Sequence, residues 1–474
     1  MAFERHTFRA GVDKAINDPV LQSALSHLGR HAVEGRTRAV AGMPEFEALR
    51  DRAVEIKDHV LANLDDYLVR FEAKVRESGG EVHWCRTAEE ARETVLRLCR
   101  SVDARTVTKG KTMIAEEIAL NGFLERHGIV PVETDLGEYI IQLADEPPSH
   151  IIAPAIHKTK DQVADLFVEH HEKYGKTRRL TEGGDLVAEA REVLRDKYLA
   201  ADVGITGANF MVAETGSTVI VTNEGNGDLT QMLPKMHIVL ASLEKVVPTL
   251  EDAATLLRVL TRSATGQEMT SYVTLSTGPR RAEDSDGPGE FHVVLLDNGR
   301  TGLTGTAMQD ILRCIRCGAC FAHCPVYSAI GGHAYDAVYS GPMGAVLTPA
   351  LKGIGAARHL PNASPLCGRC EEVCPMRIPL PDLMRRWRED AAAQQLEPWR
   401  IRLGQRLWAW AARRPRFYRL ATRFAVNVLR DRGGGRGRFR SLWLARGWTA
   451  TRDFPAPEGG TFADQWRARE RRRS

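Results

Sequence analysis

Cys314-Ile-Arg-Cys317-Gly-Ala-Cys320-Phe-Ala-His-Cys324-Pro325 follows the bacterial ferredoxin spacing C-x2-C-x2-C-x3-C-P without deviation. In that spacing one tight turn aims three thiolates at one iron-sulfur cluster, and the fourth cysteine, next to proline, reaches a second cluster. The first cluster therefore needs a thiolate from elsewhere, and Cys367-Gly-Arg-Cys370-Glu-Glu-Val-Cys374-Pro375 supplies it. Aligned on their Cys-Pro endings, the two runs cross-ligate. Cys314, Cys317, Cys320 and Cys374 are the expected ligands of cluster 1; Cys324, Cys367 and Cys370 are those of cluster 2. Ser364 stands where the second run's first cysteine belongs, so the fourth ligand of cluster 2 is either missing or the Ser364 hydroxyl. A serine oxygen is a poor match for a soft iron site. The expected cofactors are two [4Fe-4S] clusters, the second with a non-cysteine ligand or reduced to [3Fe-4S]. Structural zinc is the competing reading. Seven cysteines fill one four-thiolate zinc site and strand three, whereas two Cys-Pro endings suit a paired-cluster domain.

Working outward, seven of the nine cysteines fall between Cys314 and Cys374 in a chain of 474 residues, a length that suggests about three structural units. Cys85 and Cys99 lie far from the runs and read as buried structural thiols. The start, Met1-Ala-Phe-Glu-Arg-His-Thr-Phe-Arg, has no apolar h-region, and no run approaches the ~18 apolar residues of a membrane-spanning helix. A cytoplasmic protein using metal or redox chemistry is expected. Arg313, Arg316, Arg369 and Arg377 flank the ligand runs, where they either raise a cluster potential or face solvent. His323 and His333 read as packed or surface histidines rather than ligands.

Apolar positions at helical spacing, from Phe46 and Leu49 to Leu68 and Phe71, predict a helical region over 1–75. Over 76–300, β-rich runs alternate with amphipathic helices, which predicts an α/β domain around a largely parallel sheet. Arg105-Thr-Val-Thr and Ile129-Val-Pro-Val read as strands, Ala115 to Glu125 and Gln162 to His170 as helices. Met211 to Asn223 reads as two strands joined at Thr215-Gly216, and His292-Val-Val-Leu-Leu as a late strand closed by Asn298-Gly299. Thr108-Lys109-Gly110-Lys111-Thr112 is not a Walker A loop, because Arg105 occupies the place of its first glycine. It is either an anion-attracting loop or a solvated one. Polar residues in Glu133-Thr-Asp135, Glu214-Thr-Gly-Ser217 and Asn223-Glu-Gly-Asn226-Gly-Asp228 mark loops where α/β sheets bind ligands, and turn formation explains the same residues.

These motifs together resemble the iron-sulfur B subunit of the bacterial L-lactate utilization system over nearly the whole chain. The shared stretches are Thr108 to Thr112, Glu133 to Glu138, His150-Ile-Ile-Ala-Pro-Ala-Ile-His157-Lys158, Ala213 to Thr218, Asn223 to Asn226, the cysteine runs, Gly331 to Tyr335 and Tyr339 to Gly344. The resemblance implies a lactate-utilization domain of sugar-phosphate isomerase/CoA-transferase-like fold over 76–300, then a mainly α-helical ferredoxin-type bicluster domain over 301–390. A family C-terminal region over 391–474 would complete the chain. It also implies two partner lactate-utilization subunits, an electron acceptor that the sequence does not identify, and oxidation of L-lactate to pyruvate by the complex. The family pattern carries over at the seven cysteines and likewise lacks the eighth. It fixes no catalytic residue.

The segment from Arg385 to Ser474 carries 23 Arg, no Lys and 8 acidic residues, a surplus of +15 that leaves −11 for the rest of a chain of net charge +4. Seven of eight Trp fall in it as well (Trp387, Trp399, Trp408, Trp410, Trp443, Trp448 and Trp466), so it reads as a distinct basic, helical tail broken at Pro398, Pro415 and Gly433. Packing on its own protein or docking a subunit ranks ahead of resting on the inner face of the membrane. Nucleic-acid binding ranks last because no recognition-helix motif is present. The expected function is an electron-transfer subunit of an L-lactate-oxidising complex. The alternatives are a redox subunit for another 2-hydroxy acid such as glycolate, and an iron-sulfur sensor of nucleic acid.

Overall fold

Four helices open the computed structural model, which describes residues 7–449 and 452–473: α1 (Phe8–Ile16), α2 (Pro19–Ala41), α3 (Phe46–Ala62) and α4 (Leu64–Glu77). Asp18 starts α2 by accepting from the Val20 and Leu21 amides at 2.9 and 3.0 Å, with Pro19 in the first turn where its missing N–H costs nothing.

Among the described residues up to Leu296, ten strands follow: β1 (Glu81–Cys85), β2 (Thr106–Lys109), β3 (Val130–Glu133), β4 (Val203–Gly207), β5 (Phe210–Val212), β6 (Ser217–Thr222), β7 (Met236–Ser242), β8 (Val246–Val247), β9 (Tyr272–Ser276) and β10 (Glu290–Leu296). Six form a wholly parallel sheet in the order β1-β10-β7-β4-β2-β3, which meets the α/β expectation. Its central strands are buried at every residue because helices cover both faces. Alternate β7 residues separate the two sides: Met236, Ile238 and Leu240 pack with the helix Ala88–Ser101, while Val239 and Ala241 pack with Leu68, Phe71 and Val75 of α4. A second, mixed sheet runs β8-β5-β6-β9, with the expected β5–β6 hairpin at its centre.

The helix expected over Ala115 to Glu125 is split into Met113–Glu117 and Leu120–Arg126. Ala119 between them has φ of +50°, a left-handed turn that lets Ile118 and Leu120 both reach the core.

Among the described residues no strand lies between Thr301 and Ala391; short helices carry the cysteine runs and a longer one, Gly341–Lys352, joins them. This segment shares a single core with α3 and the helix Leu250–Ala264: Phe46, Ile56, Leu256 and Leu260 pack with Phe321, Tyr327, Val346 and Met376.

Residues up to Ala391 form one compact unit and Ala392 onward a second. The second contains helices Trp399–Ala412, Pro415–Gly433 and Phe462–Arg473, the first two starting at the expected prolines. Arg414 lies over Trp410 at 4.3 Å and Arg452 over Trp448 at 4.6 Å, so part of the arginine and tryptophan content is self-stacked. Among the described residues no helix is long and apolar enough to cross a membrane.

Candidate iron-sulfur centre and adjoining cleft

Each cysteine run turns on a pair of left-handed residues, around Cys317 in the first run and around Cys367 in the second. Arg316 and Gly318 have φ of +60° and +72°; Leu366 and Gly368, fifty positions later, have +54° and +85°. A four-residue helix follows each, Ala319–Ala322 and Arg369–Glu372. Glycine adopts this conformation freely, whereas Arg316 and Leu366 are held in it against their Cβ atoms, a strain that accumulates at functional sites. The backbone thus repeats at a constant offset that puts Ser364 in the place of Cys314. The Ser364 Oγ accepts from the Leu366 amide at 3.1 Å.

None of the seven cysteines is in a disulfide. Cys314, Cys317, Cys320 and Cys374 line one cavity together with Phe321, Met343 and Met376. Burial pushes the Cys374 thiol up to about 11, with Cys314 adding to the rise. Cys317 is raised by burial and then by Cys374. In the other group, burial pushes Cys370 up to about 12 and Cys324 adds to it, while Cys324 is raised by burial and by Cys367. The structure therefore brings Cys374 to the first turn and Cys324 to the second. Cys320 feels Cys370 as well, so the groups adjoin. Cys367 is the exposed member.

This spacing tests the two metal readings. Four thiolates on one zinc at ~2.3 Å sit only about 3.8 Å apart. Among the described residues no three cysteine sulfurs lie within 4.8 Å of one another. A cluster presents a separate iron to each sulfur and suits the wider frame.

The flanking arginines fasten the frame. Arg313 pairs with Asp310 at 2.9 Å and with Asp58; Arg377 reaches Asp51 at 2.7 Å and Glu47 at 2.9 Å; Arg369 pairs with Glu372. Arg316 is half-buried, against Glu244 at 3.3 Å and over the Tyr339 ring at 5.0 Å. Arg36 donates to the Val373 carbonyl at 3.0 Å. His323 Nδ1 and His333 Nε2 meet the Ala319 and Pro147 carbonyls at 2.9 and 2.8 Å, which agrees with packed histidines. Cys85 and Cys99 are buried in the core between the sheet and the helix Ala88–Ser101, burial pushing Cys99 up to about 12.

A cleft of about 270 Å³ opens at the carboxyl ends of β2 and β4, the end where parallel sheets bind ligands. Its lining includes Lys111, Asp135, Asn209, Asn223, Glu224, Asn226, Lys245 and Tyr339, and it extends to Arg316 and Cys317. Of the polar groups expected from sequence, Lys111, Asp135 and Asn223 to Asn226 converge here. Lys109 and Glu133 do not: they form a buried pair at 2.8 Å, with Glu116 at 3.2 Å from the same ammonium. Glu214 accepts from the Leu250 amide at 3.2 Å and Asp228 from Thr274, both tertiary contacts, while Ser217 accepts from Thr215 within its own turn. Asn209, Lys245 and Tyr339 were not anticipated as site residues.

Three family models cover the chain: the LUD domain over residues 68–296, the 4Fe-4S dicluster domain over 310–378, and the lactate utilisation protein B C-terminal region over 391–471. Lactate utilization protein B of Bacillus velezensis is 42% identical over 98% of this chain and 98% of its own. That of Geobacillus thermodenitrificans is 41% identical over 99% and 98%, and that of Bacillus subtilis 41% over 98% and 96%. The chain belongs to the lactate utilization protein B family. Within this family member, the dicluster match spans both cysteine runs, and the segment is an iron-sulfur one. The LUD match ends at Leu296, the last residue of β10.

Proposed function

We propose that the chain is the electron-transfer subunit of a multi-subunit system that oxidises L-lactate to pyruvate. Cys314, Cys317, Cys320 and Cys374 hold one [4Fe-4S] cluster; Cys324, Cys367 and Cys370 hold a second, with Ser364 or solvent at its fourth corner. Bound clusters of this kind accept and release single electrons. The observation that carries the reading is the meeting of Cys374, from the second run, with Cys314, Cys317 and Cys320 around one cavity, which supports crossed rather than separate sites.

The protein's own part is to keep the relay dry and aligned. Phe321 stacks on Tyr327 at 5.2 Å and Tyr327 on Tyr335 at 6.1 Å, so aromatic rings pack beside Cys320 and Cys324. Exposed Cys367 puts the second site at the surface, where a partner exchanges electrons. Two further lactate-utilization subunits and an electron acceptor are the proposed partners, met in the cytoplasm or at the inner membrane face. Trp399, Trp408 and Phe424 of the tail are exposed and suit subunit docking.

Copurification with the neighbouring subunits, iron and zinc analysis, and lactate-dependent dye reduction with and without this chain test the reading. Iron-loaded protein that restores dye reduction is the expected result. Zinc alone at the cysteines, or dye reduction indifferent to this chain, overturns it.

A further inference from the structure

We propose that the cleft at the carboxyl ends of β2 and β4 binds a small 2-hydroxy or 2-oxo carboxylate against the Arg316–Cys317 turn. The choice of acid rests on the lactate reading above; the anion site rests on the lysines. Lys111 Nζ donates to the Ile152 carbonyl and Lys245 Nζ to the Ala208 carbonyl, and among the described residues neither forms an ion pair. An ammonium has three donors. Each of these therefore has capacity to spare in a half-buried place, where an unpaired cation is costly and an incoming anion relieves the cost. The contrast within the same loop is Lys109, which has two carboxylates to itself. Arg316 adds a third cation, because its partner Glu244 is shared with Arg300 at 3.2 Å. Asn209 and Asn223 offer amides to a hydroxyl or keto oxygen, and Glu224, raised by burial and by Asp135 and lowered by Lys111, adds a carboxyl to the same lining. A volume near the lower end of ligand pockets suits an acid of a few carbons.

The test uses the full, cluster-loaded chain. Calorimetry with L-lactate, pyruvate, acetate and inorganic phosphate is paired with the EPR spectrum of the reduced protein. Saturable binding of lactate or pyruvate in preference to acetate is expected, with a changed cluster signal, because the ligand sits beside Cys317. Lys245→Met and Lys111→Met should each weaken binding about tenfold, the loss of roughly one charge-assisted hydrogen bond, with iron content unchanged. No saturable binding, phosphate as the tightest ligand, or variants that bind like the parent would overturn the proposal. If dye reduction by the whole system survives while this chain binds no acid, the relay stands and the cleft site falls. If the cysteines hold zinc while the lysines still bind acid, the relay falls and the site stands.

A second inference rests on different residues. Register pairs Glu81 of β1 with His292 of β10, so Glu81, His83, Glu290 and His292 share one face of the sheet. His83 Nε2 lies 3.1 Å from His292 Nδ1, and a Glu81 carboxylate oxygen lies 3.8 Å from each. Two imidazole nitrogens on a tetrahedral ion at 2.0–2.1 Å sit about 3.3 Å apart. The second nitrogen of His292 meets Glu290 at 3.3 Å, the arrangement that orients a metal-bound imidazole. We infer that Glu81, His83 and His292 bind a zinc-like divalent ion, with a solvent position left open. Zinc analysis of desalted, cluster-loaded protein should find one equivalent that His83→Gln and His292→Gln each remove while iron is unchanged. No retained zinc, or zinc unaffected by both variants, would show that the two rings merely share a proton.

Discussion

Arg50 donates from Nη2 to the Cys374 carbonyl at 2.6 Å while both oxygens of Glu47 hold its Nη1 at 2.9 Å. The same Nη2 reaches the Glu372 carbonyl at 3.1 Å, so a buried side chain of α3 fixes the loop that carries Cys374, the proposed fourth ligand of cluster 1. Arg50→Met leaves two carbonyls without that donor, at about 1–3 kcal/mol each. The variant should melt lower and lose iron from cluster 1 first. Iron content and the EPR of the reduced protein read both effects; full iron at unchanged stability would show that Arg50 does not fix this loop.

Ser364→Cys should strengthen cluster 2. The left-handed pairs Arg316/Gly318 and Leu366/Gly368 put residue 364 where Cys314 stands in the first run. The parent should carry about eight irons and fall to about seven in air, with a three-iron EPR signal; the variant should keep about eight and show none. Unchanged air sensitivity would mean that position 364 does not reach the iron.

Several buried histidines make the fold acid-sensitive. His150 Nδ1 accepts from the Ile152 and Ala153 amides at 3.0 and 3.1 Å, and burial, with Lys111 adding, pushes it down to about 3. His237, against Thr206 at 2.8 Å, is also pushed down to about 3 by burial. Because these folded values lie below the ordinary 6.5, the unfolded chain takes up protons first. Stability is then intact above about pH 6.5 and falls below it, by up to ~1.4 kcal/mol per pH unit for each group. Melting temperature between pH 7.5 and 5.5 should drop, and His237→Gln should flatten the slope. An equal slope in the variant would assign the loss elsewhere.

The legible part of this chain was whatever local spacing dictates. The cysteine runs, the Thr215-Gly216 hairpin and the tail breaks at Pro398 and Pro415 each follow from residues within about a dozen positions of one another. The break at Ala119 was hidden, because the helical period of apolar residues continues across it and only its positive φ interrupts the helix. The cleft was half legible: Lys111, Asp135 and Glu224 stood out as loop polars, but Lys245 follows a buried strand and Tyr339 sits in the connection between the cysteine runs. Nothing local marks residues so far apart as neighbours. Nor did the helical period of α3 indicate that Arg50 faces Cys374, since an arginine there reads as a solvated position.

Arg300 is the residue through which the parallel sheet grips the cluster segment. It is 1% exposed, holds Glu117 through Nη1 and Nη2 at 2.9 and 2.6 Å, and holds Glu244 through Nε at 3.2 Å. Glu117 also accepts from the Tyr339 hydroxyl at 2.6 Å, and Glu244 pairs with Arg316 beside Cys317. Although burial opposes it, Arg300 and Arg316 together hold Glu244 down to about 2. Arg300→Met strands Glu117 and leaves Glu244 with one guanidinium, and breaking a buried pair from one side costs roughly 3–5 kcal/mol. Urea denaturation of the cluster-loaded protein should show that loss, with iron released earlier in the transition. Arg300→Met combined with Glu117→Leu removes the stranded charge and should recover most of the stability, since Arg316 still serves Glu244. A double variant as unstable as the single one would mean that Arg300 acts through packing alone.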